Sequence, residues 1–399
     1  MIIGPGIFRT LLPKKFLAGG INCGVRQYRP DLGIIISELP SVGVGVFTQN
    51  TLQAAPIVHC KKALPNTTIR AIITNSGEAN AATGEKGLLD NQSMIESVAG
   101  ELNCLPEQVL SASTGAIGIP LSINKITSSV PTLIKKVSNI AENFALAILT
   151  TDLVPKAVYK EVELSTGTIH ITGICKGSGM IHPNMATMLG YLLTDACLTT
   201  EEAQNLLNHS VEKSFNMISV DGETSTNDCV FLLANGASGV AIHNQTDFET
   251  LQNAFNEISI ILAKAITRDG EGATKLIEVI VKGAPDQVTA KKLARTITVS
   301  PLVKTAIKGE SPNWGRILAR LGSEQISLEL LSQCSIEFQN HIVYKNNQPQ
   351  PVEKSILKDA MKIDTIRIVI DFNSGMNEAT AWGCDFSEKY IKINAEYLT

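Results

Sequence analysis

The chain has 399 residues, 44% hydrophobic and 18% charged, with 16 prolines spread thinly and a formal net charge of −4. A composition this apolar excludes a disordered chain, and the absence of a lysine or arginine cluster argues against nucleic acid as a partner. No run reaches the roughly 18 uncharged apolar residues of a membrane span, so a soluble protein of about two or three domains is expected.

The first segment, MIIGPGIFRTLLPKKFLAGG, places its charges within and after short apolar pieces. It has the form of neither a secretory leader nor an Arg/Ser-rich transit helix. The β-branched runs GIIIS at 33–37, GVGVFT at 43–48 and AIIT at 71–74 are each closed by Pro, Gly or Asn and predict strands. Residues 158–175 alternate apolar and polar on both sides of Ser165-Thr166-Gly167, the pattern of an antiparallel hairpin. That hairpin leads straight into KGSGMIHPNMATMLG at 176–190.

Further on, Thr199 with Glu202 and Thr246 with Glu249 fit capping boxes ahead of amphipathic helices, the first presenting Leu206, Leu207, Val211 and Phe215 on one face. The irregular alternation of strands and helices predicts a mixed sheet sandwich covered by helices rather than a doubly wound sheet. A boundary near Gly283-Ala284-Pro285 would set off a smaller C-terminal lobe over 285–399. The eight cysteines are scattered, with no CxxC pair and no histidine at zinc spacing, and read as free thiols of a reducing cytoplasm.

Within 176–190 the question is what Thr187 does at the junction of a glycine-rich loop and an apolar run. A threonine hydroxyl needs a base and oxyanion donors to act as a nucleophile. His182 is the one histidine nearby, and a histidine in a loop before a proline is more often structural. No GxSxG elbow is present, so a Ser-His-Asp triad is disfavoured. Cutting the chain between Ala186 and Thr187 would supply a base in the new α-amino group, whose reference pKa is about 7.7 to 8.0. On these residues alone, a loop entering a buried strand is the favoured explanation.

Other segments join this one: NSGEANAATG at 75–84, STGAIG at 113–118, TTDLVPK at 150–156, SVDGETSTND at 219–228, DGEGATK at 269–275 and SPNWGRI at 311–317. In this order and spacing the set resembles the ornithine acetyltransferase family, ArgJ, the monofunctional or bifunctional glutamate N-acetyltransferases of arginine biosynthesis. The resemblance implies a layered αββα sandwich like that of N-terminal-nucleophile hydrolases with different connectivity, plus a smaller C-terminal α/β lobe. It also implies self-cleavage at Ala186-Thr187. The α chain would be 1–186, carrying the oxyanion hole, and the β chain 187–399, of which 187–284 completes the catalytic core. Two α and two β chains would assemble in the cytoplasm.

Carried onto this chain, the resemblance makes Thr187 the nucleophile and Thr114 with Gly115 the oxyanion hole. Substrate contacts would come from Thr151, Lys176, Thr187, Glu271, Asn394 and Thr399. The implied reaction moves acetyl from N2-acetyl-L-ornithine to L-glutamate through an acyl-enzyme, without metal or resident cofactor, and leaves acetyl-CoA open as a second donor. Lys176 is expected to meet a substrate carboxylate and Glu271 the distal amine of ornithine, because each charge is costly in a water-poor site unless paired.

The chain departs from the family pattern at Glu78, Ala82 and Leu153, which affects details of the pocket and not the reaction class. SVDGETSTND could be taken for a metal loop, but it lacks EF-hand spacing and reads as a polar turn before a strand at 229–234. Two rivals stand beside the transferase. One is an N-terminal-nucleophile amidohydrolase or aminopeptidase, in which water resolves the acyl-enzyme. The other is a non-catalytic nucleotide-binding module, disfavoured by the lack of a P-loop or GxGxxG unit.

Overall fold

In the computed structural model of this chain, residues 10–182 and 188–396 are described. Among them run fifteen strands: β1 (Phe16–Ile21), β2 (Leu32–Phe47), β3 (Asn66–Glu78), β4 (Val109–Ala116), β5 (Lys156–Leu164), β6 (Gly167–Lys176), β7 (Leu189–Thr194), β8 (Ile218–Ser219), β9 (Cys229–Ala234), β10 (Leu276–Ala284), β11 (Ser335–Phe338), β12 (His341–Lys345), β13 (Gln348–Pro349), β14 (Thr365–Asp371) and β15 (Asn377–Cys384). They form two mixed sheets. The first has the order β4-β3-β2-β9-β7-β6-β5 with β1 added on β2, and the second the order β13-β12-β11-β14-β10-β15-β8. The architecture is the layered α/β fold with two sheets and covering helices that the sequence implies.

The runs at 33–37 and 43–48 belong to one long strand, β2, whose pairing with β3 slips between Ile36 and Ser41. Glu38, Leu39 and Pro40 are exposed at the slip, where a residue without an N–H interrupts no ladder bond. Ile35 joins one core, beneath the helices Ala55–Ala63 and Glu142–Ala147. Ile34 and Ile36 join another, beneath Gly84–Leu102 and Ile123–Ile134. Burial on both faces explains why this stretch reads as a continuous apolar run instead of an alternation.

The hairpin forms as expected: β5 and β6 pair from Lys156↔Cys175 to Leu164↔Gly167, leaving Ser165 and Thr166 as a two-residue turn. The Thr199 capping box also forms, with the Thr199 hydroxyl accepting from the Glu202 N–H at 3.2 Å ahead of the helix Thr200–Lys213. The second box does not. The helix Gln245–Arg268 is capped by Asn244, whose Oδ1 accepts from the Asp247 N–H at 2.8 Å. Asn244 already holds the extended conformation a cap requires, so Thr246 and Glu249 fall inside the helix.

The second sheet draws on both sides of the Gly283-Ala284-Pro285 segment, because β10 ends at Ala284 and is hydrogen-bonded between β14 and β15. Its apolar face, Ile277, Val279 and Val281, meets Leu293, Ala294 and Ile297 of the helix Gln287–Thr298 in one core. The helix Gln245–Arg268 packs on β5 and β6 and also reaches β10 and β15. Its Lys264 ammonium lies 2.8 Å from the Glu278 carboxylate of β10 and 5.6 Å from the centroid of the Trp382 ring on β15. No helix among the described residues is long and apolar enough to cross a membrane.

Candidate active site

Strand register decides where the motifs meet. The ladders β6–β7 and β7–β9 set Lys176 beside Leu189 and Leu189 beside Cys229, so the end of β6 and the starts of β7 and β9 share one edge of the first sheet. A cavity of about 160 Å³ opens there. Thr114, Gly115, Thr151, Lys176, Glu271 and Asn394 all line it, together with Thr150, Gly179, Met188 and Asn227. Ala186, Thr187 and Thr399 lie outside the described residues. Met188, the chain neighbour of Thr187, forms part of the cavity wall.

Thr114 and Gly115 stand near the end of β4, where Gly115 faces Gly77 of β3. Gly115 has φ +132°, and a Cβ there would lie 2.2 Å from the Gly77 carbonyl carbon, so no other residue fits. Neighbouring bonds hold this turn: Asn227 Nδ2 donates to the carbonyls of Ala79 at 2.5 Å and Ser113 at 2.8 Å. Glu78, one of the departures, is buried and accepts from both the N–H and the hydroxyl of Ser122, at 2.6 and 2.7 Å. Its charge is thereby committed to the loop that follows β4 and does not enter the cavity. Leu153, another departure, is 70% exposed, and only its N–H takes part, donating to Asp269.

Behind the cavity lies a charged quartet. Lys156 is fully buried, with its ammonium 2.8 Å from Asp152 and 2.7 Å from Asp269. Lys176 lies 3.8 Å from the other oxygen of Asp152 and donates to the hydroxyls of Thr150 at 2.8 Å and Thr114 at 3.4 Å. Buried ions of this kind are tolerable only when paired and hydrogen-bonded. Asp152 meets that condition, accepting from the N–H groups of Gly177 at 2.7 Å and Thr150 at 3.2 Å. Burial alone would push its carboxyl up, but the Lys156 and Lys176 ammoniums hold it well below the usual carboxylate range.

Glu271 lines the same cavity as Lys176, from the turn between the helix Gln245–Arg268 and β10. Its N–H donates to the Ser178 carbonyl at 3.0 Å, and its Oε2 accepts from Asn394 Nδ2 at 2.7 Å. A Cβ on Gly179 would fall 2.4 Å from the Glu271 carboxylate carbon, so a side chain at 179 would shift this carboxylate from its present place. Both oxygens of Asp221 accept backbone N–H bonds, from Met180 at 2.6 Å and Ile181 at 2.8 Å. That use makes SVDGETSTND a brace for the loop beside the cavity. His182 is directed elsewhere, toward Arg295 at 3.1 Å and Ser219 at 3.2 Å, and lines a different cavity.

Asp152, Thr150, Asn227 and Gly179 were not singled out from the sequence, although each sits inside a motif that was. Asp152 and Lys156 are four residues apart in TTDLVPK, the one local sign of their pairing. Its completion by Asp269, 113 positions from Lys156, carries no local sign.

The ArgJ family profile matches residues 17–399. An arginine biosynthesis bifunctional protein ArgJ from Thermotoga neapolitana is 44% identical over 395 residues, spanning 97% of this chain and 100% of the relative. The protein of that name from Bacillus subtilis is also 44% identical, over 397 residues, covering 97% of this chain and 96% of the relative. A crystal structure of an arginine biosynthesis bifunctional protein ArgJ from Bacillus halodurans superposes with a TM-score of 0.51 at 36% identity, covering 53% of this chain and all of the other.

Proposed function

The chain belongs to the ArgJ family, and from that premise we propose that it is an acetyltransferase of arginine biosynthesis that moves acetyl from N2-acetyl-L-ornithine to L-glutamate. In this reading the chain cuts itself between Ala186 and Thr187, and the freed α-amino group takes the proton of the Thr187 hydroxyl. Thr187 Oγ attacks the acetyl carbonyl. The oxyanion is met by the Thr114 hydroxyl and the Gly115 N–H, the amide C–N bond breaks, and ornithine leaves with the proton. The α-amine of glutamate then attacks the threonine ester, the acyl C–Oγ bond breaks, and the amine's proton returns to the Thr187 oxygen as N-acetylglutamate leaves.

The observation that carries this reading is the convergence on one cavity of Thr114, Gly115, Thr151, Lys176, Glu271 and Asn394, drawn from separate elements, with Met188 in the same wall. Two details favour it. The Thr114 oxygen accepts from Lys176, so the hydroxyl proton is left to donate to an oxyanion. The cavity also holds a cation, Lys176, and an anion, Glu271, as the carboxylate and distal amine of ornithine require.

The relatives are named bifunctional, and we take the second activity to be acetylation of glutamate from acetyl-CoA. Family likeness supports an assembly of two α and two β chains in the cytoplasm, without metal or resident cofactor.

Intact mass measurement of purified wild type beside Thr187→Ala tests the nucleophile. Wild type should give two fragments meeting between residues 186 and 187, and the variant one chain without transferase activity. An intact, inactive wild type would sink the mechanism and revive the binding-module reading. Release of free acetate from acetylornithine at the same rate with and without glutamate would favour the hydrolase instead.

A further inference from the structure

A second cavity, of about 650 Å³, borders the first. Thr224 lines the second and Ser225 the first. The two are consecutive residues, about 3.8 Å apart at Cα, so the cavities meet at this stretch of chain. The volume falls within the roughly 300–1,000 Å³ of small-molecule sites.

Its walls are strongly charged. The helix Gln287–Thr298 contributes Lys291, Lys292 and Arg295, and the helix Trp314–Gly322 contributes Arg320, against the carboxylates of Glu212 and Glu324. Glu324 is shared by Lys292 at 3.0 Å and Arg320 at 2.7 Å, while Glu212 pairs with Lys291 at 2.7 Å. Among the described lining residues, four cations face two carboxylates, a local positive excess on a chain whose net charge is −4. The neighbouring imidazole responds to it: burial and the Arg295 guanidinium press His182 down to about 4, so the ring is neutral near pH 7.

From this positive excess in a cavity that meets the reaction cavity, we infer that the second cavity holds the phosphates of acetyl-CoA, an inference that rests on the two-donor reading proposed above. Guanidinium and ammonium groups on two facing helices suit phosphate oxygens. N2-acetyl-L-ornithine carries no phosphate and would not use the site.

The test takes the full-length protein with its Arg295→Gln and Lys292→Gln variants. Initial rates are measured with each acetyl donor, and coenzyme A and inorganic phosphate are titrated by calorimetry. Losing one charge-assisted hydrogen bond should raise the KM for acetyl-CoA about tenfold in Arg295→Gln, and less in Lys292→Gln. Coenzyme A binding should weaken in step, with acetylornithine kinetics unchanged. Lys292 is exposed, so its replacement does not threaten the fold.

Equal KM increases for both donors, an unchanged acetyl-CoA KM in both variants, or inorganic phosphate binding as tightly as coenzyme A would each overturn the inference. A wild type that uses acetylornithine but neither binds coenzyme A nor uses acetyl-CoA would overturn it too, leaving the acetylornithine reaction standing. Arg295-dependent coenzyme A binding by a protein inactive with both donors would uphold the site and strike the proposed reaction.

Discussion

Lys156 and Lys291 each lie 2.7 Å from a carboxylate oxygen, yet the Lys156 side chain is fully buried while that of Lys291 is 35% exposed. Around Lys156, no water competes for the charges, so Asp152, Asp269 and Lys176 must neutralise one another through fixed geometry. Around Lys291, water does part of that work, the pair contributes little to stability, and its charges stay available to a ligand. The contrast separates a cluster that builds a site from one that can receive a charged molecule.

The largest effect is expected inside the buried cluster. Lys156→Met leaves Asp152 and Asp269 without their shared cation and should cost about 3–5 kcal/mol of stability, read from the shift in a denaturant midpoint. A cost below about 1 kcal/mol would place Lys156 with the exposed pairs of the other cluster and erase the distinction.

Glu271→Gln should raise the KM for acetylornithine about tenfold, the worth of one charge-assisted bond, and change glutamate acceptance less. Equal losses in both half-reactions would mean that Glu271 does not hold the distal amine.

A further effect is expected at His182, on the wall of the second cavity. The folded His182 pKa of about 4 lies below its ordinary 6.5 because burial and Arg295 disfavour the proton. Between those values the unfolded chain binds more protons, so this group's contribution falls as pH drops from above 6.5 toward 4. His182→Gln should flatten that part of the stability–pH curve. An unchanged slope would show that His182 is not held neutral.

The smallest effect belongs to Lys291→Ala, at most about 1 kcal/mol in the same denaturant measurement. A larger loss would show that Lys291–Glu212 behaves like the buried pairs.

Several features were legible in the sequence because they are local. The Ser165-Thr166 hairpin needs only alternation and a turn, and the Thr199 cap needs only a hydroxyl with a glutamate three residues on. At Asn244 the same local rule acts two residues ahead of the expected cap, because Thr246 and Glu249 imitate a capping box within the first turn. Of the site, the motif residues Thr114, Gly115, Thr151, Lys176, Glu271 and Asn394 were legible through a family resemblance. The supports Asp152 and Asn227 were not, although they lie in the same motifs.

By itself the sequence determined the kind of chain, the hairpin, the first cap, the family and the candidate nucleophile, since each depends on neighbouring residues or on an ordered set of motifs. Only the tertiary structure decided which partner each buried charge meets. Lys156 meets Asp269 across 113 positions and Asn394 meets Glu271 across 123. Such pairings follow from strand register and from burial that removes water as an alternative partner, and neither is a property of any short segment.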